Sequence, residues 1–291
     1  MALWQAEEVA RALIASGVGP APQLIVVETV GDLRQDIPVW EMGGQGVFVK
    51  EVQAAVLDGR ADLAVHSAKD LPSRTAPGLV LAAVLRRGDA RDALVGAALA
   101  DLPPGGTVAT GSVRRRAQLA WIRPDLTFTS LRGNIATRLG KVPAGGCLVM
   151  AAAALERLGL SDRISEILPP SVMLPQVGQG AIAIECRDLD TAAADRLALL
   201  DDPPTRIAVD AERAFLARLG GGCDLPAAAF ATVDAGTVEI EGLLASADGR
   251  VLLKRRSSAP AADRALLGSA LAASLLAAGG ADLLRDSGGP Q

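Results

Sequence analysis

Short apolar runs that alternate with segments of helical period constrain the fold of this chain more than any other feature. Leu24 to Val30 is followed by Val47 to Leu57, Thr107 to Ala109 by Val113 to Ile122, Leu126 to Ser130 by Ile135 to Leu139, and Leu148 to Ala151 by Ala152 to Leu158. Further strand-like runs occupy Ala61 to Val65 and Leu79 to Leu85. Strands that alternate with helices return in the same direction, so the rhythm predicts α/β domains built on parallel sheets.

Pro169-Pro170 and Pro203-Pro204 read as boundaries, because proline removes a backbone donor and restricts the residue before it. Beyond Pro204 the pattern changes to one long helix through Arg218, then Ala227 to Val233, Thr237 to Ala245 and Arg250 to Ser257 around the Asp248-Gly249 turn, then a C-terminal helix. That segment reads as a small α+β domain. With 291 residues, 50% of them hydrophobic, the chain can bury two or three cores. Glu7, Glu8 and Arg11 interrupt the first turns, so no secretory signal is expected and a cytoplasmic location is. The uncharged part of the C-terminal helix is too rich in Ala, Gly and Ser for a membrane span and is expected to pack. Cys147, Cys186 and Cys223 have no metal-ligand spacing, and no metal is expected.

The formal net charge is -4, yet Arg114, Arg115, Arg116, Arg123, Arg132 and Arg138 crowd one short stretch. Ser112 can cap a helix that opens with the first three, leaving amide donors beside the guanidiniums. Gly133 permits close approach after Arg132, and Arg138 lies one turn beyond Asn134. Arginine suits planar recognition of carboxylate or phosphate, so a local anion site competes with a solvated charged helix face. Nucleic acid is disfavoured by the acidic balance and by an aromatic content of 2% without tyrosine.

Three other segments could carry chemistry. Ala61 to Val65 runs into His66-Ser67-Ala68-Lys69-Asp70, and the carboxyl ends of strands are where open α/β sheets keep their sites. Asp70 could stabilise a cation or move a proton and Lys69 could bind a carboxylate; alternatively the two form a turn pair. His66 reads as a hydrogen-bonded structural residue. Cys223 follows Gly220-Gly221-Gly222 at a loop tip, which suits a thiolate that forms a covalent adduct, although Asp224 beside it raises its pKa. Gly43-Gly44-Gln45-Gly46 lacks the Lys-Ser/Thr ending of a phosphate loop and reads as a mobile loop or lid.

In their joint order these segments resemble the hydroxymethylbilane synthase (porphobilinogen deaminase) family of tetrapyrrole biosynthesis. The resemblance is carried by Ala2-Leu3-Trp4-Gln5-Ala6, Gly43-Gly44-Gln45-Gly46-Val47-Phe48-Val49-Lys50-Glu51, Val65-His66-Ser67-Ala68-Lys69-Asp70-Leu71-Pro72 and Arg91-Asp92-Ala93. It continues through Thr110-Gly111-Ser112-Val113-Arg114-Arg115, Ser130-Leu131-Arg132-Gly133-Asn134, Leu174-Pro175-Gln176-Val177-Gly178-Gln179-Gly180 and Gly221-Gly222-Cys223.

The resemblance implies a transferase that condenses four porphobilinogen molecules, with loss of ammonia, into the linear tetrapyrrole hydroxymethylbilane. It implies Asp70 as the catalytic residue and a dipyrromethane cofactor joined by a thioether to Cys223. Lys69, Ser67, Ser112, Arg114, Arg115, Arg132, Gly133 and Arg138 would bind that cofactor, and Arg138, Arg163 and Gln179 the substrate. The implied fold has two lobes of the type II periplasmic-binding-protein kind and a C-terminal α+β domain, at residues 1–88 with 178–201, 89–177 and 202–291. The implied form is a cytoplasmic monomer that binds neither nucleic acid nor membrane. The sequence departs from the family at Glu41, Gln45, Gly220 and Asp224. The family's N-terminal strand with Thr-Arg-x-Ser is expected to be missing ahead of Ala2. An inactive paralogue and a two-lobed binding protein for small anions are the alternatives.

Overall fold

The computed structural model describes residues 1–28, 49–221 and 225–286. The Gly43 to Gly46 loop and Cys223 lie outside the described residues.

Helix α1 (Ala2–Ala15) buries Gln5, Val9 and Leu13, positions four apart that share one face. The apolar run that begins at Leu24 is expected to be a strand, but residues 24–28 belong to none, and Leu24, Ile25 and Val26 are exposed. Apolar content makes a strand only where a neighbour takes its backbone hydrogen bonds, and no described strand pairs with this run. Helix α2 (Lys50–Leu57) leads to β1 (Leu63–Ser67), which buries Ala64 and His66 on one face. A single turn, Ala68–Asp70, follows, and then β2 (Leu79–Val84).

The chain then builds a second sheet. β3 (Asp92–Val95) and β4 (Thr107–Ala109) are followed by α3 (Val113–Ile122), β5 (Thr127–Thr129), α4 (Ile135–Leu139), β6 (Cys147–Ala151), α5 (Ala152–Glu156) and β7 (Glu166–Leu168). The order is β5-β4-β6-β3-β7. β4 is parallel to β5 and β6, as the alternation predicts, but β3 runs antiparallel to both β6 and β7. Apolar clusters cover both faces, one around Leu148, Met150 and Leu155 and the other around Leu94, Leu119 and Met173.

After β7 the chain returns to the first sheet. β8 (Ile182–Arg187) lies between β1 and β2 and is antiparallel to each. The expectation of parallel sheets therefore fails for these described strands. Their central strand arrives from a distant segment, so no local crossover helix dictates its direction. Val9 and Leu13 of α1 pack on Ile182, Ile184 and Cys186, together with Leu197 of α6 (Thr191–Ala198).

Pro203 and Pro204 open helix α7 (Pro203–Leu219), occupying first-turn positions where an amide hydrogen would have no partner. Asp202 caps it, accepting hydrogen bonds from the Thr205 amide at 3.0 Å and hydroxyl at 2.6 Å. β9 (Ala227–Asp234), β10 (Thr237–Ala245) and β11 (Leu252–Pro260) form the expected antiparallel sheet. Helix α8 (Arg264–Leu275) lays Leu267, Leu271 and Leu275 on a core shared with Phe215, Ile240 and Leu244.

Candidate active site

Asp92 opens β3, where its carboxylate is fully buried. Arg115 donates to its Oδ1 from Nε at 3.0 Å and Nη2 at 2.7 Å, and Gln179 Nε2 donates to the same oxygen at 2.9 Å. Arg114 Nη2 lies 2.9 Å from Oδ2. Burial pushes this carboxyl up, but Arg114, Arg115 and the Gln179 hydrogen bond outweigh it and leave the pKa lowered to about 2. Arg114 and Arg115 sit in the first turn of α3, where Ser112 accepts a long hydrogen bond of 3.4 Å from the Arg115 amide. Both guanidiniums also hold backbone, Arg114 at Leu174 O (2.7 Å) and Arg115 at Val149 O (3.1 Å). They are thus buried structural charges in addition to being members of the arginine cluster.

Gln179 carries the network to the other sheet. Its Nε2 also donates to Ala90 O at 2.8 Å, and its Oε1 accepts from Lys69 Nζ at 3.4 Å. Close approach makes this possible: at Gly178, with φ +70°, a Cβ would meet the Ala68 carbonyl carbon at 2.9 Å and the Lys69 amide nitrogen at 3.0 Å. Gln176 adds a bond from Nε2 to Lys69 O at 3.3 Å. Burial lowers the Lys69 pKa; Asp70 and Asp92 oppose it, while Arg115 and Arg114 reinforce it.

Asp70 closes the turn after β1 and is exposed to solvent. Desolvation by the neighbouring protein raises its carboxyl pKa, with Lys69, His66 and Arg138 acting in the opposite direction. Water at the exposed edge screens these terms, so the shift carries a direction and no stability weight. Arg138 is partly buried and donates from Nε to Gly133 O at 2.7 Å. Burial lowers its pKa, and the positive charges of Arg115 and Arg132 act the same way, while Asp70 opposes them. A carboxylate near a cluster of guanidiniums is an arrangement that would bind a polycarboxylate at the arginines while stabilising a cation at the acid.

The remaining predicted residues are placed less uniformly. Ser67 ends β1 beside the turn. Arg132 and Gly133 lie between β5 and α4, whose cap Asn134 accepts from the Thr137 amide at 2.9 Å. Arg163 is exposed in the turn Ser161–Arg163. The strand register pairs Asp92 with Leu168 and Leu94 with Glu166, so Arg163 precedes the end of β7 that lies away from Asp92. His66 is buried with Nε2 3.3 Å from Glu185 Oε2, an oxygen that also accepts from Gln53 Nε2 at 2.8 Å. Among the described residues no group of three His, Cys, Asp or Glu side chains could hold a metal.

Two fully buried carboxylates were not singled out from sequence. Asp92 leaves a signal, a charge at the head of the apolar run Ala93-Leu94-Val95, because a charge entering a buried strand needs a partner. Glu212 leaves none, since Glu on a long helix is usually solvated. It is fully buried and accepts from Arg87 Nη1 at 2.6 Å and Nη2 at 3.1 Å, from the Gly178 amide at 2.7 Å and from the Ala231 amide at 2.9 Å.

The comparisons with known proteins bear on this arrangement directly. Residues 1–195 match the family model described as "Porphobilinogen deaminase, dipyromethane cofactor binding domain", and residues 206–277 match "Porphobilinogen deaminase, C-terminal domain". The porphobilinogen deaminase of Syntrophotalea carbinolica is 47% identical over 284 residues, covering 96% of this chain and 90% of that protein. Those of Acidothermus cellulolyticus and Roseiflexus castenholzii are 47% and 48% identical, covering 97% and 98% of this chain and 87% and 95% of the relatives. Matched along nearly all of its length, with the buried Asp92 network inside the cofactor-binding part, the chain belongs to the porphobilinogen deaminase family.

Proposed function

We propose that this chain condenses four porphobilinogen molecules into hydroxymethylbilane, releasing ammonia, and that Asp70 is its catalytic carboxylate. The observation that carries the assignment of residues is the hydrogen-bonded chain from Lys69, next to Asp70, through Gln179 to Asp92 and Arg115. Porphobilinogen bears acetate and propionate groups beside the aminomethyl carbon that must lose ammonia. Loss of ammonia leaves a cation on the pyrrole, and a carboxylate fixed next to it lowers the barrier by stabilising that charge.

The donor set also fits a dipyrromethane, another polycarboxylate. Lys69, Arg132 and Arg138 supply cations, Ser67 and Ser112 supply hydroxyls, and Arg114 has a buried Nε without a hydrogen-bond partner. Gly133, with φ +107° and no space for a Cβ beside Thr137, sets the turn between Arg132 and α4. When bound through Cys223, this group supplies the primer to which incoming pyrroles are joined. Arg138 is proposed to meet substrate as well as cofactor, while Gln179, fully buried and bonded to Lys69, Ala90 and Asp92, and Arg163 enter as substrate contacts on the family resemblance alone.

The proposed architecture is two periplasmic-binding-protein-like lobes, residues 1–88 with 178–201 and 89–177, and a C-terminal domain, 202–291. The two separate sheets, bridged by Gln179 between Lys69 and Asp92, support it. The enzyme is proposed to act as a cytoplasmic monomer. Incubation with porphobilinogen tests the function: four substrates consumed and four ammonia released per tetrapyrrole detected by mass spectrometry support it. Substrate left intact by cofactor-loaded protein refutes it.

A further inference from the structure

The loop that leaves the Lys69–Asp70 turn meets α7 and the start of α8 around a cavity of about 460 Å³, apart from the Asp92 network. Its polar wall is Ser73, Thr75, Asp210, Arg213 and Arg264. Ala214 and Ala217 of α7, with Ala262 just ahead of α8 and Ala265 in its first turn, give it an apolar floor. Two of the charges satisfy each other, since Arg264 Nε donates to Asp210 Oδ2 at 2.9 Å.

Arg213 is different. It is 8% exposed, its Nη2 reaches only Thr75 Oγ1 at a marginal 3.5 Å, and its buried Nη1 has no hydrogen-bond partner. A buried guanidinium with an unused donor is costly unless an acceptor arrives. The charged groups that bear on it are Glu185 and Asp210, which favour its charge, and Arg206, which opposes it; burial is the larger effect and lowers its pKa.

We propose that this cavity binds a small organic monocarboxylate, with its carboxylate on Arg213 and the Ser73 and Thr75 hydroxyls and its apolar body on the alanine floor. One guanidinium with an unused buried donor matches one carboxylate, and Asp210 in the wall disfavours a dianion. The volume falls in the range of small-molecule pockets, and mixed apolar and convergent polar walls are their usual lining. A ligand seated there would tie the loop behind Asp70 to α7 and α8. The inference does not depend on the assignment of Asp70 as catalytic.

Benzoate is a suitable probe, titrated calorimetrically into the cofactor-loaded protein. Saturable binding at one site is expected, weakened at least tenfold by Arg213→Gln and also by the pair Ser73→Ala with Thr75→Val, and unaffected by Arg132→Gln. The hydroxyl pair keeps the test decisive if Arg213→Gln does not fold. Absence of saturable binding, unchanged affinity in the hydroxyl pair, or loss of binding in Arg132→Gln overturns the proposal. Tighter binding of inorganic phosphate than of benzoate overturns the monocarboxylate assignment.

Discussion

The Arg87 guanidinium lays two hydrogen bonds on the fully buried carboxylate of Glu212, one donor to each oxygen, at 2.6 and 3.1 Å. The same carboxylate takes the amides of Gly178 and Ala231, and Arg87 also donates from Nε to Gln179 O at 2.8 Å. One acid on α7 therefore fastens the segment before β3, the glycine turn before β8, and β9 of the third sheet. Breaking a buried pair by removing one partner strands the other charge, at a cost of roughly 3–5 kcal/mol. Glu212→Ala is expected to lower the thermal midpoint markedly. Pairing it with Arg87→Met is expected to cost less than the sum of the two single changes, and additivity would contradict the coupling.

Asp92 gives a pH dependence with a definite sign. Its folded pKa is depressed, from an ordinary 3.8 to about 2. The stability it contributes is thus present above pH 4 and lost as pH falls from about 4 to about 2. Linkage puts that contribution on the order of 2 kcal/mol. Asp92→Asn is expected to lower the thermal midpoint at neutral pH and to flatten its decline across this acid window. A decline as steep as in the wild type would show that Asp92 does not carry it.

Asp70→Asn keeps shape and hydrogen bonding but removes the charge. Turnover of porphobilinogen is expected to fall by roughly two to three orders of magnitude with cofactor loading retained. Near-normal turnover would remove Asp70 from the chemistry.

The two described cysteines set up a reactivity contrast. Cys147 and Cys186 are buried, and burial raises both thiols, that of Cys147 to about 11. A thiol held protonated is a poor nucleophile. Alkylation of native protein at pH 8 is expected to spare both residues until denaturant is added, as read by peptide mass mapping. Rapid modification of either in the native state would contradict this burial.

Much of the fold is legible in the sequence where the signals are local. The Asp248-Gly249 turn and its flanking alternation mark the antiparallel β10 and β11, and the run after Asp202 marks α7. Strand direction at β8 and β3 is not legible, because it depends on which distant strand lies alongside. The arginine cluster shows the same division. Its charge is plain in the sequence, but the pairing of Arg114 and Arg115 with Asp92 is created by the order β4-β6-β3, which brings the start of β3 beside the first turn of α3. Leu24 to Val26 looks like a strand by composition and is none, since apolarity does not supply a hydrogen-bonding neighbour.

The covalent cofactor is the claim on which the proposed mechanism rests most heavily, and intact mass of the purified protein tests it most directly. Wild-type protein is expected to carry an added mass equal to one dipyrromethane that survives acid denaturation. Cys223→Ser is expected to show the bare polypeptide mass and no turnover, while Cys147→Ser and Cys186→Ser retain the adduct. An adduct that persists in Cys223→Ser, or a bare mass in an active wild-type enzyme, would contradict the assignment.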